Sequence, residues 1–226
     1  DATKLNDVDL VVELIGGAEG PAKKLVFSAL KNKKHVVTAN KALIAKYGDQ
    51  LSNIAEKNNV NLEYEAAVCG GVPIIRSIKE GLIANKINKI HGIFNGTSNY
   101  VLSSMDKENI TLKDAIQKAI KLGYAESNPK SDLNGDDVAA KVKILSCLSF
   151  NSFINSNIHI EGIKDIESEQ ELLTIKTTDH ITLKPVFVSK KASSETVAGV
   201  IILTTSLSTW TTLLSRYRGV GHTTWF

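Results

Sequence analysis

The chain has 226 residues, 42% of them hydrophobic and 23% charged, with a formal net charge of +3. Such a composition is that of an ordinary globular protein long enough for one or two domains. Its lysines are scattered among aspartates and glutamates, which excludes a nucleic-acid-binding stripe or a polybasic membrane anchor, and no apolar run approaches the roughly 18 residues that span a bilayer.

Asp7 to Gly17, DVDLVVELIGG, is a continuous apolar run ending in two glycines, the pattern of a buried parallel strand entering a loop. Pro21 opens an amphipathic helix with Leu25, Val26 and Leu30 on one face. His35 to Val37 is a short β-branched strand, and Ala42 to Asn58 reads as a second helix. Strand, helix, strand, helix predicts an α/β chain with a doubly wound, Rossmann-like parallel sheet, whose ligand lies at the carboxyl ends of the strands. Two loops occupy those ends: Ile15-Gly16-Gly17 and Thr38-Ala39-Asn40-Lys41. Gly16 and Gly17 either turn the chain or let backbone approach a ligand, and Lys41 is either a surface residue or a partner for a phosphate or carboxylate.

Val60 to Val68 is read as the next strand, followed by the turn Cys-Gly-Gly-Val-Pro and a helix over PIIRSIKEGLIAN. Cys69 and Cys147 lie far apart without CxxC spacing, so neither a disulfide framework nor a metal cluster is expected, and a reducing cytoplasm fits. Cys69 reads as a small buried residue. Lys86 to Phe94 reads as a half-buried strand, and Asn95-Gly96-Thr97-Ser98-Asn99-Tyr100 turns the chain into a helix with residues suited to cap it. Thr111 starts another helix, with Asp114 as a capping-box-like acid. Chemistry concentrates in the stretch it delivers, AIKLGYAESNPKSDLNGDDVAAK, from Ala119 to Lys141. Asp137 and Lys141 are four apart at the start of an apolar-periodic run, which places both on one helix face; alone, that pair is compatible with a solvated ion pair.

The whole stretch resembles the signature of homoserine dehydrogenases, carried here by Ala119, Gly123, Tyr124, Ala125, Asn128, Pro129, Asp132, Gly135, Asp137 and Lys141. VELIGG, HVVTANKALIA, YEAAV and NGTSNY resemble further segments of that family in its order. The resemblance covers roughly Asp7 to Phe150 and implies NAD- or NADP-dependent interconversion of L-homoserine and L-aspartate 4-semialdehyde. It implies Lys141 and Asp137 as catalytic residues, with Glu126 holding the substrate ammonium and Tyr124, Asp132 and Thr97 also facing substrate. An aspartate one turn away favours the ammonium form of Lys141, suited to act as a general acid toward the aldehyde oxygen. Gly16, Gly17, Lys41 and Gly123 are implied at the cofactor, and Glu65, Val68, Gly70 and Val72 at a Na+ or K+ ion held mostly through backbone carbonyls. A homodimer or homotetramer is implied, with residues 1–64 the latter part of the cofactor domain and 65–226 an α+β substrate and dimerisation domain.

The sequence departs from that pattern in two ways. It contains no G-x-G-x-x-G and opens at Asp1 without a Met, so the first half of the cofactor domain is expected upstream, and the chain alone is expected to bind a dinucleotide poorly. Past Phe150 the resemblance continues in HIEGI at 159–163 and LKPVFVSK, but the Thr-, Ser- and Leu-rich end has no periodicity and is expected to be divergent or frameshifted. Two alternatives remain: a non-enzymatic dimerisation or substrate-binding fragment, and a related semialdehyde oxidoreductase.

Overall fold

The computed structural model describes residues 2–92, 94–150, 159–160, 162–163, 182–183 and 201–205. The chain divides into two compact units, Asp1–Ala84 with Ala140–Ile154, and Asn85–Ala139 with Asn155–Phe226.

In the first unit, β1 (Leu10–Glu13), β2 (His35–Thr38) and β3 (Leu62–Glu63) form a parallel sheet in the order β1-β2-β3. Glu13 stands opposite Thr38 in the register, and Val36 opposite Leu62. The connections are α1 (Pro21–Lys31) and α2 (Lys41–Lys57). Pro21 begins α1 because a missing N–H costs nothing at a helix start. Asn40 caps α2 by accepting from the Leu43 N–H at 3.1 Å. Helix α1 packs on β1 and β2 and against α2, burying Ala22, Val26, Ala29 and Leu30.

Two right-handed crossovers that advance in the same direction put both helices on one face of a sheet. Val11 and Glu13 are buried, whereas Leu10 and Val12 are 49% and 55% exposed. Within this chain one face of β1 is covered and the other, carrying Leu10 and Val12, is open. The strand expected over Val60 to Val68 is shorter: after Leu62–Glu63 the backbone tightens into a 3-10 turn over Glu65–Ala67. The long helix expected after Pro73 is one α-helical turn, α3 (Ile74–Arg76), followed by a wider π turn over Ser77–Gly81. Its widening shows in the Leu82 N–H, which bonds the Ser77 carbonyl five residues back at 2.9 Å.

The second unit begins with β4 (Ile87–Gly92), followed by α4 (Gly96–Glu108), α5 (Leu112–Lys121), the short α6 (Lys130–Asn134) and α7 (Asp136–Phe150). Residues of α7 from Ala140 onward belong to the first unit. Thr111 caps α5 as expected: its Oγ1 accepts from the Asp114 N–H at 3.2 Å and donates to the Asp114 carboxylate at 2.7 Å. Further on, β5 (His159–Ile160) pairs in parallel with β6 (Thr182–Leu183), and β7 (Ile201–Thr205) pairs antiparallel with β4. That last strand lies in the tail whose sequence carried no periodic signal. The rest of the tail lies outside the described residues.

The second unit's core joins Val101 and Leu102 of α4, Ala115 and Ala119 of α5, and Ile163. Gly162 has no room for a side chain, since a Cβ there would lie 2.2 Å from the Leu133 carbonyl oxygen. This close approach lets the Ile163 N–H donate to that carbonyl at 2.7 Å and seats Ile163 in the core.

Candidate functional site

Gly135, with φ of 86°, ends α6 in a left-handed turn and allows α7 to begin at the next residue. This turn brings Asp132 of α6 and Asp137 of α7 to a single amide, the side chain of Asn95. Its Nδ2 donates to Asp132 Oδ1 at 2.7 Å and to Asp137 Oδ2 at 2.9 Å. Asn95 Oδ1 meanwhile accepts from the Ser98 N–H at 2.8 Å, capping α4. Ser98 adds a hydrogen bond from its hydroxyl to the Asp132 carbonyl at 3.1 Å. Asn95 and Asp137 are each 6% exposed. Lys141 follows Asp137 by four residues on α7 and is half-buried.

Beside this cluster, the Thr97 hydroxyl donates to the Tyr124 carbonyl at 2.8 Å, and the Tyr124 ring stacks on Tyr100 with centroids 4.2 Å apart. Gly123 takes a φ of 79° where α5 ends and the chain turns back, a conformation that favours glycine. Glu126 is exposed on the loop that follows. Thr97 and Tyr124 are thus joined directly, and Asp132 and Asp137 are joined through Asn95, the first residue of the capping and family segment NGTSNY.

In the first unit, Gly16 and Gly17 have φ of 83° and 81° in the loop leaving β1, and nothing lies within 4 Å of a Cβ built on Gly16. Glu13, fully buried, organises this edge. Its Oε1 accepts from the Ile15 and Gly16 N–H groups at 2.8 and 2.9 Å, and its Oε2 accepts from the Thr38 hydroxyl at 2.5 Å. Asn40 ties the second loop to the first, its N–H donating to Thr38 Oγ1 at 3.0 Å and its Nδ2 to the Gly17 carbonyl at 2.8 Å. Lys41 is the first residue of α2. Burial acts to raise the Glu13 pKa, but the hydrogen bonds from Thr38, Gly16, Ile15 and Asn40 outweigh it and hold the carboxyl below its ordinary value. Gly16, with open space beside it at the carboxyl end of β1, leaves room for a ligand to approach the backbone closely.

The turn around Glu65 is built differently from a carboxylate metal site. Both Glu65 oxygens accept backbone N–H groups, from Ile75 and from Arg76, each at 2.9 Å. Val68 is buried, Gly70 is exposed and Val72 is half-buried, and the turn between them is held by a hydrogen bond from the Val72 N–H to the Cys69 carbonyl at 2.9 Å. Any contribution of this turn to a hard cation would come from its carbonyl oxygens. Cys69 has a φ of 51° and is half-buried where a small buried residue is expected. Among the described residues no group of three or more His, Cys, Asp or Glu side chains could hold a metal ion, and no helix is long and apolar enough to cross a membrane.

The family model described as "Homoserine dehydrogenase" matches residues 73–206, and the one described as "Homoserine dehydrogenase, NAD binding domain" matches residues 1–65. The chain belongs to the homoserine dehydrogenase family. It is 48% identical over 163 residues to a homoserine dehydrogenase of Neisseria gonorrhoeae, an alignment covering 72% of this chain and 37% of that protein. Among solved structures, a homoserine dehydrogenase from Thiobacillus denitrificans aligns with a TM-score of 0.68 at 46% identity, over 71% of this chain and 37% of that one. A hyperthermophilic archaeal homoserine dehydrogenase in complex with NADPH aligns with a TM-score of 0.77 at 30% identity, over 87% of this chain and 62% of that one. The chain thus spans little more than a third of the length of the curated relative quoted. The homoserine dehydrogenase match reaches residue 206 and so takes in β7, beyond the Asp7 to Phe150 stretch over which the resemblance is read.

Within this family fold, Asn95 and Glu13 are the two organising residues that sequence reasoning did not single out. Each had a visible signal: Asn95 heads NGTSNY, and Glu13 is a carboxylate inside an apolar run, a placement that demands partners.

Proposed function

We propose that this chain is part of a homoserine dehydrogenase that interconverts L-homoserine and L-aspartate 4-semialdehyde with NADP or NAD. The observation that carries the reading is the joining of Asp132 and Asp137 on one buried amide, with Lys141 one helical turn beyond Asp137, in a chain of this family. A bound nicotinamide supplies or accepts the hydride. The protein's part is then to bind and orient the amino acid and to manage one proton.

Lys141 serves as the general acid that protonates the aldehyde oxygen in the reducing direction, and a water carries that proton in the oxidising one. Asp137 hydrogen-bonds near the reacting oxygen. Glu126 holds the substrate ammonium, and Asp132, Tyr124 and Thr97 complete the substrate contacts. Gly16, Gly17, Lys41 and Gly123 serve the cofactor. Na+ or K+ takes carbonyl oxygens of the Glu65, Val68, Gly70 and Val72 turn. In this reading residues 1–64 belong to the cofactor domain and 65–226 to the substrate and dimerisation domain of a cytoplasmic homodimer or homotetramer.

The test is nicotinamide reduction by the complete protein with L-homoserine, followed by absorbance. Homoserine-dependent reduction with NADP+ or NAD+ is expected. A stable, dimeric protein that reduces neither would overturn the enzymatic reading in favour of a scaffold or substrate-binding role.

A further inference from the structure

Two carboxylates that accept from the same nitrogen, Asp137 buried and Asp132 half-buried, bring like charges close together, and like charges so placed repel one another. The group between them is the side-chain amide of Asn95, and both its N–H donors and its oxygen are engaged. An asparagine amide has two N–H donors and one carbonyl acceptor. Here the donors go to Asp132 and Asp137, and the acceptor takes the Ser98 N–H. Turning the amide over would set its oxygen against two acceptors and its NH2 against a donor, so only one orientation satisfies all three partners.

We propose that Asn95 is a positioning residue, an amide clamp that holds Asp132 and Asp137 at one point and so fixes both carboxylates relative to α4. Its capping of α4 is the means by which the clamp itself is held: the Ser98 amide fixes the oxygen, and the plane of the amide then fixes where the two N–H groups aim. Asp132 and Asp137 sit on different helices joined through the left-handed Gly135, whose N–H donates to the Asp132 carbonyl at 3.3 Å and whose carbonyl accepts from the Ala139 N–H at 2.9 Å. Those bonds hold the backbone of the turn, and the clamp sets the two carboxylates carried on it. Its consequence for turnover rests on the dehydrogenase reading given above, whereas the melting comparison below stands without it.

Asn95→Asp separates clamping from capping. Aspartate caps a helix as well as asparagine, and a negative charge at a helix N-terminus is favourable, so capping alone predicts a variant as stable as the parent or more so. The clamp predicts the reverse, because N95D removes both donors and adds a third carboxylate. The complete protein carrying N95D should melt several degrees lower near neutral pH. Clustered carboxylates bind protons more readily when folded than when unfolded, so the deficit should shrink toward about pH 5. Adding Asp132→Asn returns an amide to the cluster and should recover most of the loss. If the parent oxidises homoserine, N95D should lower kcat by about 10- to 100-fold, with part of the loss regained on the acid side.

An N95D protein that melts at or above the parent near neutral pH overturns the clamp, as does an N95D/D132N protein no more stable than N95D. Should N95D fail to fold, a folded double variant supports the clamp and an unfolded one overturns it. A parent inactive on homoserine removes the functional reading and leaves the melting comparison to decide the clamp.

Discussion

Glu13 and Thr38 stand opposite one another in the parallel register of β1 and β2 and close a side-chain hydrogen bond of 2.5 Å between them. Through that contact one carboxylate also holds the Ile15 and Gly16 amides, and Asn40 fastens the second loop to the first. Replacing Thr38 by Val leaves a buried charge short of one donor. That change should cost about 2 kcal/mol by urea unfolding. An effect within about 0.5 kcal/mol would mean that the carboxylate finds another donor.

The same carboxyl gives an expected pH dependence. Its folded pKa lies below the ordinary value of 4.5, so the folded state binds its proton less readily than the unfolded state. The stability it contributes is present above about pH 4.5 and is lost as pH falls toward the lowered value. Glu13→Gln should therefore destabilise near neutral pH, and the gap from the parent should narrow on acidification. A gap constant from neutrality to about pH 3 would contradict the lowered pKa.

Gly162 is a packing requirement. A methyl group there would meet the Leu133 carbonyl oxygen at 2.2 Å and the Asn134 Cα at 2.7 Å, both backbone atoms that cannot rotate away. Gly162→Ala should cost about 3 kcal/mol, since it unseats Ile163 and breaks the bond from its N–H to Leu133. Thermal melting checks this, and an alanine variant of parent-like stability would place 162–163 elsewhere.

Glu65 receives two backbone donors through its side chain, so its loss exposes structure before any cation chemistry. Glu65→Ala leaves the Ile75 and Arg76 amides without their acceptor and should destabilise by about 1–3 kcal/mol. Stability measured in sodium, potassium and a large organic cation should fall equally in all three. A loss confined to one alkali cation would assign the side chain to an ion instead.

Lys141→Ala in the complete protein should lower homoserine turnover by about 10²- to 10⁴-fold, the usual worth of a positioned acid, while nicotinamide binding followed by fluorescence persists. Unchanged turnover would remove Lys141 from the proton transfer.

Much of the local structure is legible in the sequence because its causes are local. The Thr111 and Asp114 capping box, Pro21 at the head of α1, and β1-α1-β2-α2 all follow from residues within a turn or two of one another. The family signature around Asp137 and Lys141 was equally readable, since its spacing is written along one stretch of chain. Distance in sequence is what hid the rest. Asn95 meets Asp132 and Asp137 across 37 and 42 positions, and Glu13 meets Thr38 across 25, so no periodic pattern records either contact. The pairing of β7 with β4 is likewise supplied by a partner strand and not by alternation within β7. The apolar run at β1 marks a strand, but which of its faces is covered within this chain is decided by where α1 packs. Amino-acid order determined the elements from β1 to α2, the capped start of α5 and the family to which the chain belongs; the tertiary structure decided which carboxylates share a donor, because a buried charge is stabilised by whichever dipoles the fold brings to it.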